Sequence, residues 1–166
     1  MTRRLNAMDK KIAEMWVAAL RSRKYKKTTS ALKVVKEKKS KFCVLGVLCD
    51  LYQKNHEKQL KEEKQTTLDA RRNGWKVVYI DGRDGRSLVY LTGIPIPDSS
   101  GIPPKVMEWA GIKHGLGLIQ GEIALRPSYQ IYFPSRTNAC LKFMNDEYAM
   151  SFKLIADFIE ENYESL

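Results

Sequence analysis

Residues 42–52 read Phe-Cys-Val-Leu-Gly-Val-Leu-Cys-Asp-Leu-Tyr, with apolar side chains on nearly every side of a helix. A helix of that kind has no face to offer water and persists only when it is covered all round. The segment is therefore expected to form a buried central helix around which the rest of the chain is wrapped. Gly46 stands in its middle. Glycine inside a helix costs about 1 kcal/mol against alanine. A packing reason is expected for it, namely another backbone passing close by.

The flanking segments show the periodicities needed to cover such a helix. From Asp9 onward, Ile12, Met15, Trp16, Ala19 and Leu20 recur on one helical face, with Asn6 or Asp9 as the N-cap. At the other end Phe152, Ile155, Ala156 and Ile159 form a second amphipathic face behind Ser151, a good N-cap. Between them, Trp75-Lys76-Val77-Val78-Tyr79-Ile80 and Arg86-Ser87-Leu88-Val89-Tyr90-Leu91 flank a glycine-containing turn and read as a β-hairpin. Pro103-Pro104 opens a short helix with Val106, Trp109 and Ala110 inward, and Gly111 ends it. Residues 31–35 are expected as a short extended piece and 36–41 as a polar basic turn. Residues 116–133 read as short strands or extended loops. Asn138 is expected to cap a short helix through Met144, interrupted by Asn145-Asp146. Residues 53–73 carry mixed charge and no apolar stripe, and are expected as a loop or solvated helical extension, the one candidate hinge. With 166 residues and this order of elements, the chain is expected to be α+β. It should form a single compact domain over 1–166: a buried central helix, N- and C-terminal amphipathic helices, and a β-hairpin or small antiparallel sheet. A hydrophobic content of 43% excludes a fully disordered chain.

Charge is concentrated at one end. Residues 1–42 hold 14 Lys and Arg against 3 Asp and Glu, a net of +11, while the whole chain carries +10. Such asymmetry points to an anionic partner: nucleic acid, a nucleotide, a membrane surface or an acidic protein. No apolar run approaches the length of a membrane span. The basic N-terminus is not followed by an apolar stretch, so a secretory signal and a membrane role are not expected. Cys43, Cys49 and Cys140 are odd in number, which fits a reducing cytosol. Cys43 and Cys49 lie about 240° apart around a helix axis and would not share a metal ion. The cysteines read as small buried hydrophobes. No cofactor is expected.

The candidate anion-binding residues are Arg21, Arg23, Lys24, Tyr25, Lys26 and Lys27, followed by Thr28-Thr29-Ser30. Lysine and arginine neutralise phosphates, an exposed tyrosine can stack on a base, and hydroxyls can donate to phosphate oxygens. The plainer reading is a solvated basic surface. Arg83 and Arg86 join the candidates because they sit in Asp81-Gly82-Arg83-Asp84-Gly85-Arg86, where glycines admit a ligand and arginine grips phosphate. The plainer reading is an ordinary turn, and no Gly-Lys-Ser/Thr follows it. His114 in a glycine-flanked loop, with Asp146 and Glu147, is the one set that acid–base chemistry could use, and nothing local pairs them. His56, in the polar stretch, reads as exposed.

Several blocks recur together in order: Trp16-Val17-Ala18-Ala19-Leu20-Arg21-Ser22 with Lys24-Tyr25, then Phe42-Cys43-Val44-Leu45-Gly46-Val47-Leu48-Cys49-Asp50-Leu51. Ile102-Pro103, Val106 and Trp109-Ala110-Gly111-Ile112 follow. Leu141, Met144-Asn145-Asp146, Ser151-Phe152 and Ile155-Ala156-Asp157 come last. This resembles a group of small proteins encoded by tailed bacteriophages and prophages. The resemblance implies a cytoplasmic protein of the infected bacterium and brings no catalytic residues. The chain departs from the group's pattern at Lys27-Thr28-Thr29-Ser30, where glycine is common, and at Leu154, where an acid often completes a capping box.

These observations favour a non-catalytic binding protein that engages nucleic acid or a nucleotide through its basic N-terminal region, in host takeover or counter-defence. The alternative is an inhibitor that binds an acidic host protein, with the hairpin and residues 94–101 as contacts. A small phosphodiesterase or nuclease ranks last. Assembly into a homo-oligomer is compatible with all three.

Overall fold

A computed structural model describes residues 7–30, 32–36, 39–56, 76–81, 87–92, 101–102, 104–122, 129 and 137–166. The first helix, α1, spans Lys10–Arg21 and begins where Asp9 accepts a hydrogen bond from the Ile12 N–H at 3.1 Å. Its buried residues are Ile12, Ala13, Trp16, Val17 and Leu20. Ala13 and Val17 thus replace Met15 and Ala19, which are only partly buried. The buried face is turned because α1 packs against two helices, the central one and the C-terminal one.

The central helix, α2, spans Val44–Asn55, and Val44 to Cys49, Leu51 and Tyr52 are buried. It starts two residues later than the apolar run because Phe42 belongs to a strand. Cys43 is the N-cap, its Sγ accepting from the Gly46 N–H at 3.3 Å. The helix also runs into the polar stretch as far as Asn55, and residues 57–73 lie outside the described residues. Gly46 has the neighbour its position demands: a Cβ there would overlap the backbone carbonyl of Leu32. The same carbonyl accepts from the Cys43 N–H at 3.2 Å. Trp16 is fully buried, and its indole N–H donates to the Val44 carbonyl at 3.1 Å, so α1 and α2 meet by packing and by one directed bond.

The strands are β1 (Lys26–Lys27), β2 (Lys33–Lys36), β3 (Lys39–Phe42), β4 (Lys76–Asp81) and β5 (Ser87–Thr92). They form one sheet in the order β1-β3-β2-β5-β4, with β1 and β3 parallel and the other pairs antiparallel. The β4–β5 hairpin is where the alternation placed it. The expected basic turn at 36–41 is not: Lys39–Phe42 is a strand, held by β2 on one side and β1 on the other. The second sheet pairs β6 (Leu118–Glu122) with β7 (Thr137–Cys140). Asn138 therefore sits in a strand and caps no helix.

Helix α3 spans Pro104–Ala110, and Gly111 follows it at φ 74°, the left-handed position that favours glycine. Helix α4 (Leu141–Asp146) starts at Cys140, so Asn145 and Asp146 close the helix rather than interrupt it. Helix α5 spans Phe152–Asn162 with Ser151 as its N-cap, accepting from the Leu154 N–H at 3.3 Å. The fold is mixed α+β, compact, with a small sheet against a buried helix.

Candidate anion-binding cleft

Helix α1 delivers the basic segment by a tight reversal. The Ser22 hydroxyl donates to the Ala19 carbonyl at 2.7 Å and accepts from the Lys24 N–H at 3.2 Å. Arg23 takes φ 59° in the same turn. The chain then enters β1, a strand of two residues. Alternation sends Lys26 to the solvent side of the sheet, exposed, and Lys27 to the other, where it is half-buried.

The register puts Lys26 directly beside Lys41. Lys41 and Lys39 are both exposed and lie two residues apart on β3, which is about 6.7 Å along a strand. The three ammonium groups form a stripe on the outer sheet face. On the inner face Phe42 is buried, with the Lys33 Nζ 5.1 Å from its ring centroid.

Between the end of α1, the inner sheet face and α2 lies an open cleft of about 530 Å³, bounded by Lys24, Tyr25, Lys33, Phe42, Asp50 and Lys54 among others. The Tyr25 hydroxyl donates to Asp50 Oδ2 at 2.7 Å and accepts from Lys54 Nζ at 2.9 Å. Lys54 also meets Asp50 Oδ2 at 2.7 Å. The Tyr25 ring stands edge-on to Phe42, with centroids 5.1 Å apart. Tyr25 is thus half-buried and engaged, not the exposed stacking ring its neighbours in sequence imply. Burial pushes its hydroxyl pKa up, against the pull of Lys54. The hydrogen bonds to Asp50 and Tyr25 hold the Lys54 ammonium above its ordinary value.

The structure treats the other candidates differently. Arg21 is bound to Glu160 at 2.6 Å and to Asp157 at 2.5 Å on α5. Glu160 and then Asp157 hold its guanidinium above its ordinary value. It fastens α1 to α5. Lys24 is exposed at the cleft, and Arg23 is exposed in the turn before it. Lys27 is pushed down by burial, with Asp146 opposing. Arg83 and Arg86 lie outside the described residues. Lys33, Lys54, Asp50, Lys39 and Lys41 were missed as site residues. The i,i+4 spacing of Asp50 and Lys54 was a readable signal; the placement of Lys33, Lys39 and Lys41 follows only from the strand register.

Among the described residues no hydrogen bond joins His114 to Asp146 or Glu147. Asp146 is bound by Asn145 at 2.6 Å and by Lys142 at 3.3 Å. His56 is not exposed as expected. It caps α2, donates from Nδ1 to the Tyr52 carbonyl at 2.8 Å and stacks on the Tyr52 ring, with Trp109 edge-on at 5.7 Å. Cys43, Cys49 and Cys140 are free and buried. Among the described residues no helix is long and apolar enough to cross a membrane, and no three His, Cys, Asp or Glu side chains gather to hold a metal ion.

The fold and the cleft define a small α+β protein with a basic sheet packed on a buried helix. The chain belongs to the family described as a domain of unknown function (DUF8296), whose model matches residues 8–163. No curated protein and no solved structure matches it.

Proposed function

We propose that the chain is a phage-encoded, non-catalytic binding protein of the infected cell's cytoplasm, which engages nucleic acid or a nucleotide in host takeover or counter-defence. The observation that carries the binding role is the stripe of Lys26, Lys39 and Lys41 on the outer face of one small sheet, with Lys24 and Lys33 at the cleft on its other face, none of the five paired with a carboxylate among the described residues. Three later carboxylates pair elsewhere: Asp157 and Glu160 with Arg21, Asp146 with Lys142. The resemblance carried by the blocks around Trp16 and Gly46 supports the phage origin.

The test is fluorescence anisotropy with a labelled single-stranded oligonucleotide across a salt series. Displaced counterions should give log K against log[salt] a slope of about −2 to −3 for three or four phosphate contacts. Lys39→Glu/Lys41→Glu should weaken binding at least about tenfold and flatten that slope. No binding of the oligonucleotide or of a mononucleotide at low salt overturns the reading. Capture of an acidic protein that survives nuclease treatment, with no nucleic-acid affinity, would place the same lysines against carboxylates instead.

A further inference from the structure

The cleft beside Tyr25 differs in kind from the lysine stripe on the outer sheet face, because it offers an acceptor as well as donors. Asp50 takes both of its described side-chain bonds on one oxygen, Oδ2, from the Tyr25 hydroxyl and from Lys54. Its other oxygen, Oδ1, has no partner among the described residues, although the carboxylate borders the cleft and is only 13% exposed. Lys33 and Lys24 border the same cleft, with no carboxylate partner among the described residues. A ligand that is only a chain of phosphates would meet repulsion from Asp50. A ligand with an anionic end and neighbouring hydroxyl donors satisfies every group present. The volume, about 530 Å³, suits a small molecule, since such sites run to about 300–1,000 Å³.

We propose that this cleft binds a phosphate ester bearing vicinal hydroxyls, the ribose phosphate part of a ribonucleotide. Lys24 and Lys33 take the phosphate, and Asp50 Oδ1 accepts from the ribose hydroxyls. Carboxylates recognise ribose hydroxyls in this way in dinucleotide sites. Tyr25 and Lys54 are positioning residues that fix the Asp50 carboxylate. The proposal rests on the anion-binding reading and narrows its occupant to a small molecule.

The experiment is calorimetric titration of the full chain at low salt with ribose 5-phosphate, adenosine 5′-monophosphate, its 2′,3′-dideoxy counterpart and inorganic phosphate. Adenosine monophosphate should bind at least about tenfold more tightly than the dideoxy compound, the worth of a hydrogen bond to a charged acceptor. Ribose 5-phosphate binding as tightly as adenosine monophosphate would assign the site to the sugar phosphate alone; weaker binding would add a contribution from the base. Asp50→Asn should collapse the hydroxyl preference. Lys33→Gln should weaken both nucleotides alike and leave the preference intact. Equal affinity for the ribo and dideoxy forms in the wild type overturns the proposal without any variant being needed. Oligonucleotide binding lost in Lys39→Glu/Lys41→Glu, with no mononucleotide binding, overturns the cleft proposal and leaves the anion-binding reading standing. Absence of both overturns both.

Discussion

Asn145 ties three elements together through one side-chain amide. It is fully buried; its Oδ1 accepts from the Val44 N–H at the start of α2 at 3.1 Å, and its Nδ2 donates to the Thr28 carbonyl just past β1 at 2.9 Å. Alanine there would leave a buried N–H without a partner, at about 1–3 kcal/mol, and strip the half-buried Thr28 carbonyl of its bond at a smaller cost. Asn145→Ala is expected to lower the unfolding free energy by roughly 3 kcal/mol in urea denaturation. A loss well under 1 kcal/mol would mean that water replaces the amide and that the tether is dispensable. Nothing in the local sequence signals this role. Asn145-Asp146-Glu147 looks like local turn chemistry, whereas the bonds cross 101 and 117 positions of chain. Gly46 is the opposite case. A glycine inside an apolar helix demands a close neighbour on elementary grounds, and only the neighbour's identity, Leu32, needed the structure.

At the scale of elements, the amphipathic helices α1 and α5, their Asp9 and Ser151 caps, the β4–β5 hairpin and the proline-led α3 were all readable, because each shows its own period or cap. The strands β1 and β3 were not. Lys39-Ser40-Lys41-Phe42 has one apolar residue and three that strands do not favour, so it is a strand through pairing rather than propensity. That pairing carries a cost, since Lys26 lies beside Lys41 in the ladder. Like charges facing each other across strands destabilise by about 0.2–1 kcal/mol a pair. A sheet built this way should improve when the repulsion is removed. Lys41→Glu is expected to raise stability by up to about 1 kcal/mol, or roughly 2–4 °C in thermal midpoint for a chain of this size. The same change should weaken oligonucleotide binding, so the two readouts move in opposite directions. A lower midpoint would show that Lys41 contributes packing, and that its charge is not the cause of strain.

Across the whole molecule, the excess of positive charge at the N-terminal end was legible from counting alone. Its division was not: Arg21 pairs with Asp157 and Glu160 on α5, Lys10 with Glu14 on α1, while Lys26, Lys33, Lys39 and Lys41 lie on the sheet. The core beneath them sets a second dependence on solution conditions, through its thiols. Burial pushes Cys43 from an ordinary 9.0 to about 11 and pushes Cys49 higher still. Above pH 9 the unfolded chain ionises these thiols while the folded chain keeps them protonated. The native state then holds more protons, so stability falls as pH rises through this window. Tyr25, raised by burial, and Lys54, raised by its bonds to Asp50 and Tyr25, act in the same direction. Lys27, lowered by burial, opposes them, because its folded form gives up the proton first. For Cys43 alone the gap between folded and unfolded values is on the order of 3 kcal/mol once both forms have diverged fully. Unfolding free energies measured in urea under reducing conditions should therefore stay level from neutral pH to about 9 and then decline steeply. The Cys43→Ser/Cys49→Ala variant, which retains a capping oxygen for the Gly46 N–H, should start less stable at neutral pH yet lose much less between pH 9 and 10.5. If wild type and variant decline in parallel, the alkaline loss arises from lysine and tyrosine titration at the cleft, and oligonucleotide affinity should then fall over the same range.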